Sequence, residues 1–169
     1  MKFAAIVMAL LVAIGLAVGV YTYANARLEL VFVNETTALG LERAQDFAKL
    51  QEALDQNAML GTAYIGSLGG SCTDYNFETY TFRLRNKGLI GAEMVEVQPV
   101  PVSGDMLAYT SLDPAQVNAN VIVPSRGEQD AYCVVLRSAS QDEFARMQRS
   151  FRITYYLWGI PRTMTVRYQ

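Results

Sequence analysis

The run FAAIVMALLVAIGLAVGV, from Phe3 to Val20, carries no charge and follows a single cation, Lys2. As an α-helix it would be about 27 Å long, close to the hydrocarbon thickness of a bilayer and longer than the apolar stretch of an ordinary signal peptide. It therefore predicts a retained transmembrane helix. Tyr21 and Tyr23 follow at the level where interfacial aromatics belong. Ala24-Asn25-Ala26 also reads as a small-x-small processing site, so the alternative is a secreted protein cleaved after Ala26. In both cases Lys2 marks the cytoplasmic side and Arg27 onward is expected outside. The organisation expected is an anchor or signal over 1–26 and an extracytoplasmic domain over 27–169. Ala5, Ala9, Ala13 and Ala17 form a stripe of small residues, and Gly15 with Gly19 a G-x-x-x-G, patterns that allow helices to approach and that also arise by chance in Ala-rich leaders.

The remainder, roughly 140 residues, is enough for one domain with one core. Its charge excludes some functions. Over the whole chain Lys and Arg number 14 against 16 Asp and Glu, and Lys2 belongs to the leader, which leaves no basic excess to hold a nucleic acid backbone. Histidine is absent, so Ser-His-Asp and Cys-His catalysis cannot occur within the chain. No cofactor and no metal is expected: two thiols without histidine do not complete a zinc tetrahedron.

Hydrophobic periodicity sorts the domain into strands with one main helix. Arg27 to Val33 alternates as a strand ending at Asn34, with Leu28, Leu30 and Phe32 on one face. From Leu41 to Gln56 the period lengthens, with Leu41, Ala44, Phe47, Ala48, Leu50 and Leu54 on one side of an amphipathic helix. Phe77 to Arg85 alternates again, Tyr80, Phe82 and Leu84 facing in, and turns at Asn86-Lys87-Gly88. Ala92 to Val100, Met106 to Tyr109, Val117 to Val123 and Ala131 to Leu136 are further strand candidates. Ser140-Gln-Asp-Glu143 has the form of a capping box opening a short helix to Gln148. Phe151 to Trp158 and Thr163 to Tyr168 predict a hairpin across Gly159-Ile160-Pro161-Arg162, with Phe151, Ile153, Tyr155 and Leu157 inward. Some seven short strands with regular turns fit a mainly β fold, an antiparallel β-sandwich with one amphipathic and one short helix behind the N-terminal helix.

Chemistry-bearing residues are few. Cys72 and Cys133 are the only cysteines. Outside the cytoplasm they predict a disulfide, closing a loop of about 60 residues worth on the order of 4 kcal/mol; the alternative is two independent buried thiols. Glu93 with Glu96, or Asp142 with Glu143, could in principle form an acid–base pair for glycoside cleavage. Asp142 and Glu143 are better explained by a helix's first turn, and Glu93 and Glu96 fall on opposite faces of a regular strand. No catalytic residue is assigned. Tyr156, Trp158 and Arg162, on the outer side of the last hairpin, are the expected contact surface, since such side chains dominate binding hot spots.

Tyr80-Thr-Phe-Arg-Leu-Arg-Asn-Lys-Gly88 followed by Ala92-Glu-Met-Val-Glu-Val97 resembles the strand–turn–strand of immunoglobulin-like bacterial surface domains of the adhesion or CARDB type. With Thr154-Tyr-Tyr-Leu-Trp-Gly159 it is also similar to singly anchored proteins of Gram-positive type, over Phe77 to Tyr168. The resemblance implies a sandwich outside the membrane and no activity; the helix at Leu41 to Gln56 departs from it. Two functions follow. One is a non-catalytic binding or assembly module, tied to the membrane by its N-terminal helix and engaging a protein or cell-envelope partner. The other is a carboxylate-dependent envelope hydrolase or enzyme accessory subunit.

Overall fold

The computed structural model describes residues 2–58, 61–112, 121–140 and 149–168. The apolar run forms α1, Lys2–Asn25, unburied along its apolar length. Such a helix serves as a membrane anchor or a signal sequence. It passes into β1, Leu28–Leu39, with no linker. A 3₁₀ turn, Gly40–Arg43, leads into α2, Ala44–Asp55. There follow β2, Thr62–Ala63; β3, Tyr75–Asn86; β4, Glu93–Pro99; β5, Asp105–Tyr109; β6, Glu128–Ser138; β7, Ser150–Leu157; and β8, Ile160–Arg167.

Among the described residues these strands make two antiparallel sheets, β1-β3-β6-β5-β2 and β4-β7-β8. Directly opposed residues share a face, so the register fixes what each face presents. Tyr80 opposite Cys133, and Phe82 opposite Ala131, look towards the three-stranded sheet, where Phe151, Ile153, Tyr155 and Leu157 meet them as expected. The Phe151 ring lies 4.7 Å from both Tyr80 and Phe82. Phe77 opposite Leu136 looks the other way, into a second core closed by Phe47 and Leu50 of α2. The helix therefore covers one end of the outer face of the five-stranded sheet.

Three departures from strict alternation have physical causes. β1 does not stop at Asn34: it pairs with β3 as far as Leu39, and a bulge at Val31 shifts its phase. Leu28 and Leu30 remain inward, but Phe32 emerges on the outer face beneath the Arg83 guanidinium, 4.9 Å away. The helix expected from Leu41 begins at Ala44, and Leu41 is exposed. The last hairpin closes through two residues rather than four. Trp158 and Gly159 have φ of 50° and 75°, the primed-turn geometry that matches strand twist, and Ile160, Pro161 and Arg162 belong to β8. Pro161 is tolerated because β8 is an edge strand. Of the expected strand at Val117 to Val123, only its end is described: Val123 bridges Ala92. The short helix to Gln148, with Asp142 and Glu143, lies outside the described residues.

Candidate functional site

The expected disulfide is corrected: Cys72 and Cys133 are free thiols. Cys133 faces the inter-sheet core, whereas Cys72, in a 3₁₀ turn before β3, packs against the second core on the opposite face. Along the strand the gap is also large. Asp74 O accepts from Ala139 N, six positions beyond Cys133 and so about 20 Å from it at strand rise. Two residues of chain from Asp74 back to Cys72 cannot recover the 4–7 Å that a disulfide needs. Burial pushes the Cys133 thiol up to about 12, which keeps it protonated and inert.

The hairpin residues expected to form one contact surface do not share one. Tyr156 is half-buried on the outer side of β7, opposite Pro161. Arg162 is opposite Tyr155, so it points inward with Met164 and Val166. Its guanidinium covers the ring of Tyr23, at 4.5 Å from the centroid. Trp158 sits on the turn and stacks on the same Tyr23 ring, with centroids 6.2 Å apart and planes within 17°. Tyr23 lies in the last turn of α1. The hairpin thus grips the end of the apolar helix, a relation that no local pattern could reveal because the two segments are more than a hundred residues apart. Neighbouring contacts tighten the joint. Ala26 is 3% exposed, and a Cβ added to Gly88 would meet its Cα at 2.6 Å. Only glycine at 88 lets the β3–β4 turn close on the helix end. Asn86 shapes that turn, donating from Nδ2 to Ile90 O at 2.7 Å and accepting from Gly88 N at 2.9 Å.

A second polar assembly lies at the far end of the inter-sheet space. Arg149, immediately before β7, is fully buried; it donates to both Asp105 oxygens at 2.8 and 2.7 Å and lies 3.4 Å from Glu78 Oε2. Arg137 stands 3.7 Å from the other Glu78 oxygen, and Tyr80 Oη donates to Glu78 at 2.9 Å. Burial opposes the charge on Arg149, but its hydrogen bonds to Asp105 and the surrounding negative groups raise its pKa. The phenol of Tyr80 is raised too, chiefly by burial, so it remains a donor. A bulge at Met106 makes this possible: Leu107 opposes Leu136 on the outer face, while Asp105, two residues earlier, opposes Arg137 on the inner one. No local pattern in the sequence marks this cluster. Its only visible trace is Glu78, which shares the inward face of β3 with Tyr80, Phe82 and Leu84. Within it each carboxylate is engaged by arginine and sealed from solvent, an arrangement suited to holding the two sheets together rather than to receiving a substrate.

Glu93 and Glu96 do not lie on opposite faces as a regular strand requires. Met94, at φ 51°, opens a bulge, and the two carboxylates oppose Tyr156 and Thr154 on the same outer face. Both are exposed, and Glu96 accepts from Gln98 at 2.8 Å. An open strand surface neither encloses a substrate nor excludes water. Among the described residues no three His, Cys, Asp or Glu side chains form a metal-binding group. No protein-family model matches the chain, and no curated protein matches it.

Proposed function

We propose that the chain is an immunoglobulin-like binding or assembly module, held at the outer face of a membrane by α1, and that it works by engaging a protein or envelope partner rather than by catalysis. The observation that carries this reading is the strand order. The constant-type immunoglobulin sandwich has sheets A-B-E-D and C-F-G. Setting aside the two-residue β2, β1, β3, β6 and β5 stand in the A, B, E and D places and β4, β7 and β8 in C, F and G. Where antibody domains join B to F with a disulfide, β3 and β7 are joined by Phe151 against Tyr80 and Phe82. That scaffold is a presenter of surfaces, and its buried charges here are committed to one another.

Retention of the leader is supported by the same joint. Cleavage after Ala26 would remove Tyr23 and Ala26, both of which pack into the inter-sheet core. The test is to prepare membranes containing the full chain, measure its intact mass, and cross-link it in place before solubilisation. The expected result is an uncleaved, carbonate-resistant protein in discrete adducts with a partner. A mature species beginning at Arg27, or hydrolysis of envelope glycan that disappears in Glu93→Gln or Glu96→Gln, would overturn it.

A further inference from the structure

We propose that the end of the domain carrying Trp158 rests in the lipid headgroup region, so that the sandwich is seated on the bilayer. This inference depends on α1 being a retained span. The apolar run ends at Val20, at about the reach of the hydrocarbon core, and Tyr23 follows within one helical turn, some 5 Å further on. The Trp158 ring stacks on Tyr23, and the chain enters β1 almost at once, so no tether separates the domain from the membrane. Whatever surrounds Tyr23 is at interfacial depth.

What surrounds it has interfacial chemistry. Glu93 opposes Tyr156, so the residues before β4 and after β7 project from this same end. They include Leu89, Trp158 and Ile160, which are 55%, 63% and 50% exposed, and Tyr21 of the helix is 69% exposed. Cations flank them. Arg27 follows the helix; Lys87, bound to Glu29 at 2.7 Å, and Arg126, whose N–H donates to Gly88 O, lie on the adjoining turns. Tryptophan and tyrosine with exposed aliphatics, rimmed by arginine and lysine, suit the boundary between acyl chains and anionic headgroups. Conformation does not explain the tryptophan. Left-handed backbone, φ 50° at Trp158, is unfavourable for a bulky residue, and Asn or Gly is the usual occupant of this turn position. A ring held there is exposed on one side and fastened to the anchor on the other.

Trp158 is the chain's single tryptophan, so its fluorescence reports this position alone. The full chain is reconstituted into equimolar phosphatidylcholine–phosphatidylglycerol vesicles, and bromolipids brominated at successive acyl depths are substituted for the unlabelled lipid. The expected result is loss of emission, greatest with the shallowest bromines, with little quenching by aqueous iodide. Ile160→Glu should shift the emission to the red and reduce the bromolipid effect. If the protein resists carbonate extraction while Trp158 is quenched by iodide and unaffected by bromolipid, the anchor stands and the seating is wrong. If carbonate releases the protein, the anchor reading fails and the seating falls with it.

Discussion

Replacing Arg149 with Met removes the guanidinium that holds the far end of the two sheets together while keeping most of its length. The structure shows what is lost: two hydrogen bonds to Asp105, at 2.8 and 2.7 Å, and an ion pair with Glu78 at 3.4 Å, all out of contact with solvent. At an effective dielectric of 20, opposite charges about 4 Å apart attract by roughly 4 kcal/mol, and an apolar side chain cannot replace that for Asp105. Removing one member of a buried pair typically costs about 3–5 kcal/mol, mostly because its partner stays buried and charged. For a domain of this size that is a large part of the usual ~5–15 kcal/mol. The assay is urea unfolding of the full chain in detergent, followed by near-ultraviolet circular dichroism, for R149M, D105N and the double variant. R149M should lose about 3–5 kcal/mol, and the double variant clearly less than the sum of the two singles, since D105N removes the stranded charge. A loss below ~0.5 kcal/mol, or strict additivity, would show that water reaches the cluster and that the ion pair does not bind the sheets.

In the native protein a maleimide should modify Cys72 and leave Cys133 until the chain is unfolded; a non-reduced intact mass lower by two hydrogens would contradict the free-thiol assignment. Stability should fall as pH rises through roughly 9 to 12. Burial raises Cys133 from 9.0, and Tyr64 and Tyr109 from 10.0, to about 12 in each case. The unfolded chain therefore ionises first, and the advantage of the neutral folded groups, complete below pH 9, is lost towards pH 12; urea midpoints that stay level across this window would refute it. Phe151→Ala, at the contact of β7 with Tyr80 and Phe82, should cost about 3–5 kcal/mol by the same unfolding assay. Gly88→Val should disturb the joint between α1 and the domain, visible as a red shift of the Trp158 emission, because its side chain would enter the space of Ala26.

Where alternation is unbroken, the sequence was a reliable guide. The inner faces of β3 and β7 were readable residue by residue, because a strand with one buried face writes its hydrophobic period directly into the chain. The N-terminal helix and α2 were equally visible through run length and period. The failures cluster at bulges. One extra residue at Val31, at Met94 or at Met106 puts the residues on its two sides out of phase, exposing Phe32, uniting Glu93 with Glu96, and letting Asp105 face inward while Leu107 faces out. The disulfide expectation failed for a related reason: compartment and cysteine count say nothing about which face of a sheet each thiol occupies. The grip of the last hairpin on Tyr23 was invisible because Trp158 and Arg162 meet their partner only through the whole topology.

The buried charges also bear on why the sheets pair in this register. A slip of β6 against β3 by two residues, about 7 Å, would leave every side chain on its own face, and apolar residues alone would penalise it weakly, since one aliphatic or aromatic layer can replace the next. In the direction that sets Arg137 opposite Asp74 the same slip would carry it away from Glu78, and in either direction, with β5 travelling alongside β6, it would part Asp105 from Arg149. It would strand carboxylates in a space closed to water, at a cost of several kcal/mol each. Because β3, β5, β6 and the segment entering β7 each supply one member, the charges are satisfied together only when both sheets are in place at once. The cluster thus discriminates between arrangements that hydrophobic burial would treat as near equals, and it does so at the end of the domain remote from α1.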